Sequence, residues 1–166
     1  MANNLNKALE HVDMTYNELV NIANSIISKC TTESDGIVNH IKCNINNLTN
    51  DLIREYTLRL STAAYSFSEI KEKSALKATC AEIVRKELYA TEFNKADGPV
   101  AVKDNTATIN ISENILVEAV HNMVASTLKV KLDEIHRVVD ALKTVTMSRM
   151  SEAKLTMNFD VKDTNE

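Results

Sequence analysis

Apolar side chains in the first 30 residues recur at alternating intervals of four and three. The positions are Leu5, Leu9, Val12, Tyr16, Leu19, Ala23, Ile26 and Cys30. This heptad spacing puts them on one face of a helix whose other faces are polar, so the helix needs a packing partner. The segment from Thr31 to Gly36 predicts a turn, because glycine readily adopts a positive φ. The pattern therefore predicts an N-terminal amphipathic helix and turn over residues 1–36.

Residues 37–97 contain neither glycine nor proline, and their apolar positions keep helical spacing. Asparagine and threonine cluster at residues 46–51, where cap-forming side chains favour a helix boundary. The pattern fits either one helix or a short helix over residues 37–47 followed by a long one over 50–93. The later part of the apolar face consists of Leu76, Cys80, Ile83, Val84 and Leu88.

Residues 100–111 are the only stretch with apolar side chains at alternate positions. Asp104 and Asn105 suit a two-residue hairpin loop, because both residue types tolerate positive φ. A β-hairpin at about 99–111 would place Val100, Val102, Ala107 and Ile109 on one face. Two strands alone are marginally stable in water, so we expect this face to pair or dock elsewhere.

A second long helix is predicted from Ser112 to about Met157. Ile111 and Leu116 are spaced as a hydrophobic staple around the cap residue Ser112. A heptad seam follows at Leu128, Leu132, Ile135, Val139 and Leu142. The fold class is therefore mainly α: an elongated helical bundle or coiled-coil hairpin over residues 37–157, with a small β-hairpin between two long helices. Residues 158–166 form an acidic tail.

Composition argues against several classes of function. Two glycines and one proline cannot build a phosphate-binding loop or a nucleophile elbow. Aromatic residues make up 4% of the chain, which leaves few side chains for stacking on nucleic acid bases. The net charge is −4, with −3 in residues 1–36 and +2 in residues 71–95. Nucleic acid is therefore not the favoured partner.

The chain shows no signal peptide at its start and no apolar run long enough to span a membrane. The odd number of cysteines suits a reducing compartment. These features predict a cytoplasmic protein. The asparagine-rich composition would suit a phage or mobile-element protein, located in the host cytoplasm or the virion.

Candidate catalytic or metal-binding residues are few. Cys30, His40, Cys43 and Cys80 form the only grouping that contains zinc-ligand types, but no Cys-x-x-Cys pair occurs and buried thiols are the favoured interpretation. His121 and His136 are too far apart on one helix to share a site. We predict no catalytic residue, no metal and no cofactor, and thus no enzyme.

The leading functional hypothesis is a non-enzymatic helical assembly or interaction protein that binds copies of itself, another protein, or both. Seams of this length are naturally buried in a homo-oligomer. The predicted interface residues are Leu5, Leu9, Val12, Tyr16, Leu19, Ile26, Val100, Val102 and Ile109.

The alternative hypothesis is a recombination accessory factor that associates with single-stranded nucleic acid. Its phosphate contacts would come from Lys71, Lys73, Lys77, Arg85 and Lys86. The segment from Leu128 through Arg149 to Phe159 resembles the last helix of phage recombination mediators, small helical oligomers that load a recombinase. Residues 50–157 are similar in outline to the helix–hairpin–helix shape of prefoldin-type chaperones.

Overall fold

The computed structural model describes the backbone of residues 2–160 and the side chains of residues 12–154. It is 95% helical, which confirms the mainly α prediction. The described α-helices are α1 (Ala2–Asn44), α2 (Asn50–Lys95), α3 (Val100–Asn110) and α4 (Ser112–Asp160). A short 3-10 helix, Ile45–Asn47, lies between α1 and α2. The predicted acidic tail lies largely outside the described residues.

The turn predicted at Thr31–Gly36 is wrong, because α1 runs through it to Asn44. Thr31 and Ser34 are buried, and the Ser34 hydroxyl donates a 2.8 Å hydrogen bond to the Thr31 carbonyl. A polar side chain satisfied in this way does not have to end the helix. Gly36 is an ordinary helical residue with open space where a Cβ would stand.

The chain breaks instead at residues 45–49, which decides between the one-helix and two-helix alternatives. Leu48 is extended and buried, and the Thr49 hydroxyl accepts a hydrogen bond from the Leu52 amide at the start of α2. Arg149 of α4 secures this turn. Its guanidinium donates to the carbonyls of Leu48 (2.6 Å) and Asn46 (3.3 Å) and to the Asn50 side chain (3.0 Å).

The predicted β-hairpin is also wrong: residues 100–110 form α3, and no strand lies among the described residues. The backbone amides of Val102 and Lys103 donate to the Pro99 carbonyl, and Pro99 is the N-cap of α3. Ala107 is completely buried, which follows a helical period rather than alternation. A helix also satisfies its own backbone, whereas an isolated two-stranded hairpin leaves both edges open.

The helices divide into two compact units. Unit 1 comprises Met1–Cys30 and Phe67–Lys129, and unit 2 comprises Thr31–Ser66 and Val130–Glu166. In unit 2, the pairs Glu33–Arg59 and His40–Tyr56 show that α1 runs antiparallel to α2. The pairs Asp35–Lys131 and Lys42–Glu134 show that α1 runs parallel to α4. Its core consists of apolar side chains from all three helices: Ile37, Val38, Ile41, Leu48, Ile53, Leu60, Ala64, Leu132, Ile135, Val139 and Leu142.

Unit 1 has a core that combines small and large apolar side chains. Its buried apolar residues are Ala23, Ile27, Phe67, Ala78, Ala107, Ile111, Val120, Val124 and Leu128. The ion pair Arg85–Glu118 joins α2 to α4 at 2.9 Å. Tyr89 donates a hydrogen bond to Asp104, and Asn110 donates one to Glu92, so α3 is tied to the end of α2.

Candidate interaction surface

Large apolar side chains are exposed mainly on unit 1. Among the described residues, fourteen such side chains lie in unit 1 and five in unit 2. Scattered exposed apolar residues are normal on a protein surface, but a concentration of them on one part of a molecule marks a binding surface. Unit 1 therefore carries the candidate site. Three features make it up: a groove between α1 and α4, the outward face of α2, and the exposed face of α3.

The groove has a volume of about 320 Å³ and is lined mostly by aliphatic side chains. Leu19, Ile22 and Ile26 of α1 form one wall, and Leu116, Val117, Val120 and His121 of α4 form the other. Glu18 and Thr15 provide the polar lining. By contrast, four of the six residues that line the groove of about 550 Å³ in unit 2 are charged: Lys42, Asp133, Glu134 and Arg137, with Val130 and Val138 beside them.

His121 is a titratable side chain in the wall of the groove. Its Nδ1 atom is buried without a hydrogen-bond partner among the described residues. Removal from water lowers the pKa of His121, and the nearby positive charge of Lys77 lowers it further. The fold therefore favours the neutral form of the imidazole, which suits an apolar wall.

The outward face of α2 in unit 1 is the second feature. Leu76, Ile83 and Val84 keep 65%, 53% and 45% of their surface exposed. The opposite face of the same helix buries Ser74 and Ala78. Sequence periodicity had placed these large side chains in the core, and the structure places small ones there instead.

The third feature is α3, whose Val100, Val102 and Ile109 are exposed while Ala107 points into the core. These are the three residues that the sequence predicted for an interface on a hairpin. They remain at the surface, now as part of a helix. The apolar side that was expected to consist of alternate residues does not form.

The interface residues predicted on α1 have different environments. Val12 and Tyr16 are 62% and 58% exposed, whereas Leu19 and Ile26 are half-buried in the groove wall. The side chains of Leu5 and Leu9 lie outside the described residues. The groove residues of α4 were not predicted from the sequence, because Leu116 was interpreted only as part of a hydrophobic staple and Val117 was not singled out.

No family model matches this chain, and no curated protein or solved structure was found to be similar to it.

The basic residues of the alternative hypothesis lie on α2, and carboxylates neutralise most of them. Lys71 pairs with Glu72, Lys73 with Glu69, Lys86 with Glu82, and Arg85 with Glu118. Only Lys77 of this set has no ion-pair partner among the described residues. Paired cations of this kind offer little net charge to a phosphate backbone.

The cysteine and histidine residues considered as metal ligands are not brought together. Among the described side chains, no three histidine, cysteine, aspartate or glutamate residues are placed to share a metal. The Cys30 thiol donates to the Ile27 carbonyl, and His40 Nδ1 lies 3.0 Å from the Tyr56 hydroxyl. Cys43 and Cys80 are exposed. Within the described residues, no helix has the length and apolar character needed to cross a bilayer.

Proposed function

We propose that this chain is a non-enzymatic helical assembly protein that associates with copies of itself through unit 1. The observation that supports this is the concentration of exposed large apolar side chains on unit 1. Burying each such side chain would stabilise the associated state by roughly 1.5–3 kcal/mol, because its apolar surface would be removed from water.

The proposal assigns different roles to the two units. Unit 2 buries most of its aliphatic side chains among α1, α2 and α4, and its groove of about 550 Å³ is lined mainly by charged residues. Unit 1 leaves comparable side chains outside. Unit 2 would act as the stable part of the subunit, and unit 1 would supply the contacts between subunits. A cytoplasmic location, in a host cell or a virion, belongs to the same proposal.

The test is the mass in solution by light scattering over a range of protein concentrations. We expect a mass above the 18.5 kDa of one chain. In unit 1, three single variants probe the three features: Ile22→Glu for the groove, Leu76→Glu for α2 and Val102→Glu for α3. We expect at least one of them to reduce the mass, because a charge cannot be buried at an apolar contact without a partner.

Leu58→Glu is the matched control in unit 2. Leu58 lies on the same helix as Leu76, and the two are similarly exposed, at 70% and 65%. A mass of one chain at all concentrations would overturn the proposal. An equal loss of mass in Leu58→Glu and in the unit 1 variants would also overturn the proposal, since the site of association would then not be unit 1.

A further inference from the structure

Seven exposed residues form a continuous face on the part of α2 that belongs to unit 1. This face, here called the α2 stripe, consists of Glu69, Lys73, Leu76, Cys80, Val84, Glu87 and Thr91. Successive members are four, three, four, four, three and four residues apart. At 100° per residue, such intervals keep all seven side chains on one side of the helix. The stripe faces away from Ser74 and Ala78, which are buried.

The intervals of the α2 stripe are the same in both directions from Cys80. Leu76 and Val84 lie four residues on either side of Cys80, and Lys73 and Glu87 lie seven residues on either side. When a second α2 is reversed about Cys80, Leu76 therefore lies opposite Val84, and Lys73 lies opposite Glu87. Apolar side chains then meet apolar ones, and a cation meets a carboxylate. A surface that is complementary to its own reversed copy meets the condition for a two-fold interface.

We infer that the α2 stripe is a two-fold interface, in which α2 of a second copy packs antiparallel with Cys80 at the axis. The inference depends on the proposed self-association and names the surface that mediates it. Leu76 of each copy then contacts Val84 of the other. Ile83, which is 53% exposed, flanks this contact and packs beside the aliphatic part of Lys77 of the second copy.

Charge selects this orientation. In the antiparallel pairing about Cys80, Lys73 faces Glu87 of the second copy, and this contact occurs twice in each dimer. Lys73 also pairs with Glu69 of its own helix, so its ammonium group would bridge two carboxylates. Glu87 has no ion-pair partner among the described residues, so its carboxylate can accept a cation. A parallel pairing would set Lys73 against Lys73 and Glu87 against Glu87, and like charges at these positions oppose that alternative.

The same pattern favours a second copy over an unrelated partner. Complementarity between two halves of one helix is required only when the helix meets itself. Leu76, Ile83 and Val84 each keep at least 45% of their surface exposed. The interface would bury them together in the centre, with the charged pairs at the rim, as in ordinary protein interfaces.

Cys80 gives a direct test, because its thiol is exposed and would meet its counterpart at the two-fold axis. Packed helices lie about 8–10 Å apart, within the reach of a short bis-maleimide reagent. The protein used would carry Cys30→Ser and Cys43→Ser, leaving Cys80 as its thiol. Serine can keep the hydrogen bond that Cys30 makes to the Ile27 carbonyl. We expect most of the folded protein to be converted to a covalent dimer.

The matched control keeps Cys43 and replaces Cys30 and Cys80 by serine. Cys43 is exposed as well, but it lies on α1 in unit 2. We expect no more covalent dimer from this variant than from chemically denatured protein at the same concentration. Equal cross-linking through Cys43 and Cys80 would mean random collision and would overturn the inference.

A charge exchange tests the register. Lys73→Glu or Glu87→Lys alone should raise the dimer dissociation constant by roughly ten-fold, because each dimer then contains two like-charged contacts instead of two ion pairs. The double variant Lys73→Glu/Glu87→Lys should restore association to near the native value. Circular dichroism checks that all three remain helical. Failure of the double variant to recover, with the helices intact, would overturn the inferred pairing.

The outcomes separate this inference from the proposed function. A native protein that is oligomeric by light scattering but does not cross-link through Cys80 would keep the proposed function and overturn the α2 pairing. A native protein with the mass of one chain at every concentration would overturn both. Cross-linking through Cys80 together with recovery in the double variant would support both.

Discussion

Polar side chains at helix junctions and within helices decide where the chain is continuous and where it turns. Ser34 is buried in α1 and satisfied by a carbonyl of its own helix, so α1 passes through a segment with the composition of a turn. Arg149 has the opposite role. It bonds to three groups around the break between α1 and α2 and replaces the hydrogen bonds that the helix ends lack.

Replacing Arg149 with methionine should destabilise the fold by about 1–3 kcal/mol. The side chain keeps its length and apolar contacts, but the buried end of the turn at Leu48 loses its donor, and an unsatisfied buried carbonyl is costly. Urea denaturation measures the difference. Arg137→Met is the control, because Arg137 is exposed on the same helix. Equal stability of the two variants would show that Arg149 does not hold the turn.

His121 should make stability depend on pH between neutrality and mild acid. Because the folded state lowers its pKa, the folded chain binds fewer protons than the unfolded chain in this range. Its contribution is therefore complete above the ordinary histidine pKa of about 6.5 and is lost as the pH falls from there toward the lowered value. Thermal melts at several pH values measure this loss.

The variant His121→Leu removes both the titrating group and the unpartnered Nδ1. We expect its melting temperature to fall less than that of the native protein between pH 7 and pH 5. His136→Asn serves as the control, since His136 is exposed on the same helix. If His121→Leu and the native protein lose stability in parallel, the neutral state of His121 is not what the fold requires.

Among the elements, α3 shows how a weak local pattern is overruled by packing. Apolar and polar residues alternate over residues 100–111 as in a strand. The same segment also places Lys103, Ala107 and Ile111 at helical intervals of four. Ala107 and Ile111 are buried, and Asp104 and Asn110 bond to side chains of α2. These tertiary contacts favour the helix over a hairpin that would have no third strand.

Substitutions of Asn105 distinguish a helix from a hairpin, because the two structures predict opposite orders of stability for its alanine and glycine variants. It is exposed in the middle of α3, so Asn105→Ala should be more stable than Asn105→Gly by about 1 kcal/mol, the difference in helix propensity. In a two-residue hairpin loop the order would reverse, because glycine adopts positive φ and alanine does not. Urea denaturation of the two variants gives the answer, and a more stable glycine variant would contradict the helix.

At the scale of the whole molecule, the two units use their apolar residues differently. Unit 2 encloses most of them among three helices, whereas unit 1 encloses some, including Phe67 and Leu128, and leaves many of its large ones exposed. A chain of this composition can therefore be stable through unit 2 and still present an apolar surface through unit 1. That division connects the fold with the proposed assembly function, and the comparison of Leu76→Glu with Leu58→Glu tests it directly.

The sequence by itself determined the mainly helical class, and it marked the region near Asn47 as the boundary that a two-helix arrangement would have. Local chemistry is sufficient for these features. Helical spacing without glycine or proline predicts α2, and Gly98 adopts the positive φ that ends it. The candidate interface residues of α1 and α3 were also chosen from the sequence, and the tests above decide their role.

Tertiary structure alone decided which face of α2 is buried and that residues 100–110 are helical. After Phe67, the sequence of α2 contains two overlapping helical seams, one with large side chains at Leu76, Ile83 and Val84 and one with small side chains at Ser74 and Ala78. Helical periodicity fits both seams equally well, and hydrophobicity alone favours burial of the seam with large side chains. The small seam is the buried one because the choice depends on the volume left by α1 and α4, which are distant in sequence and close only after folding.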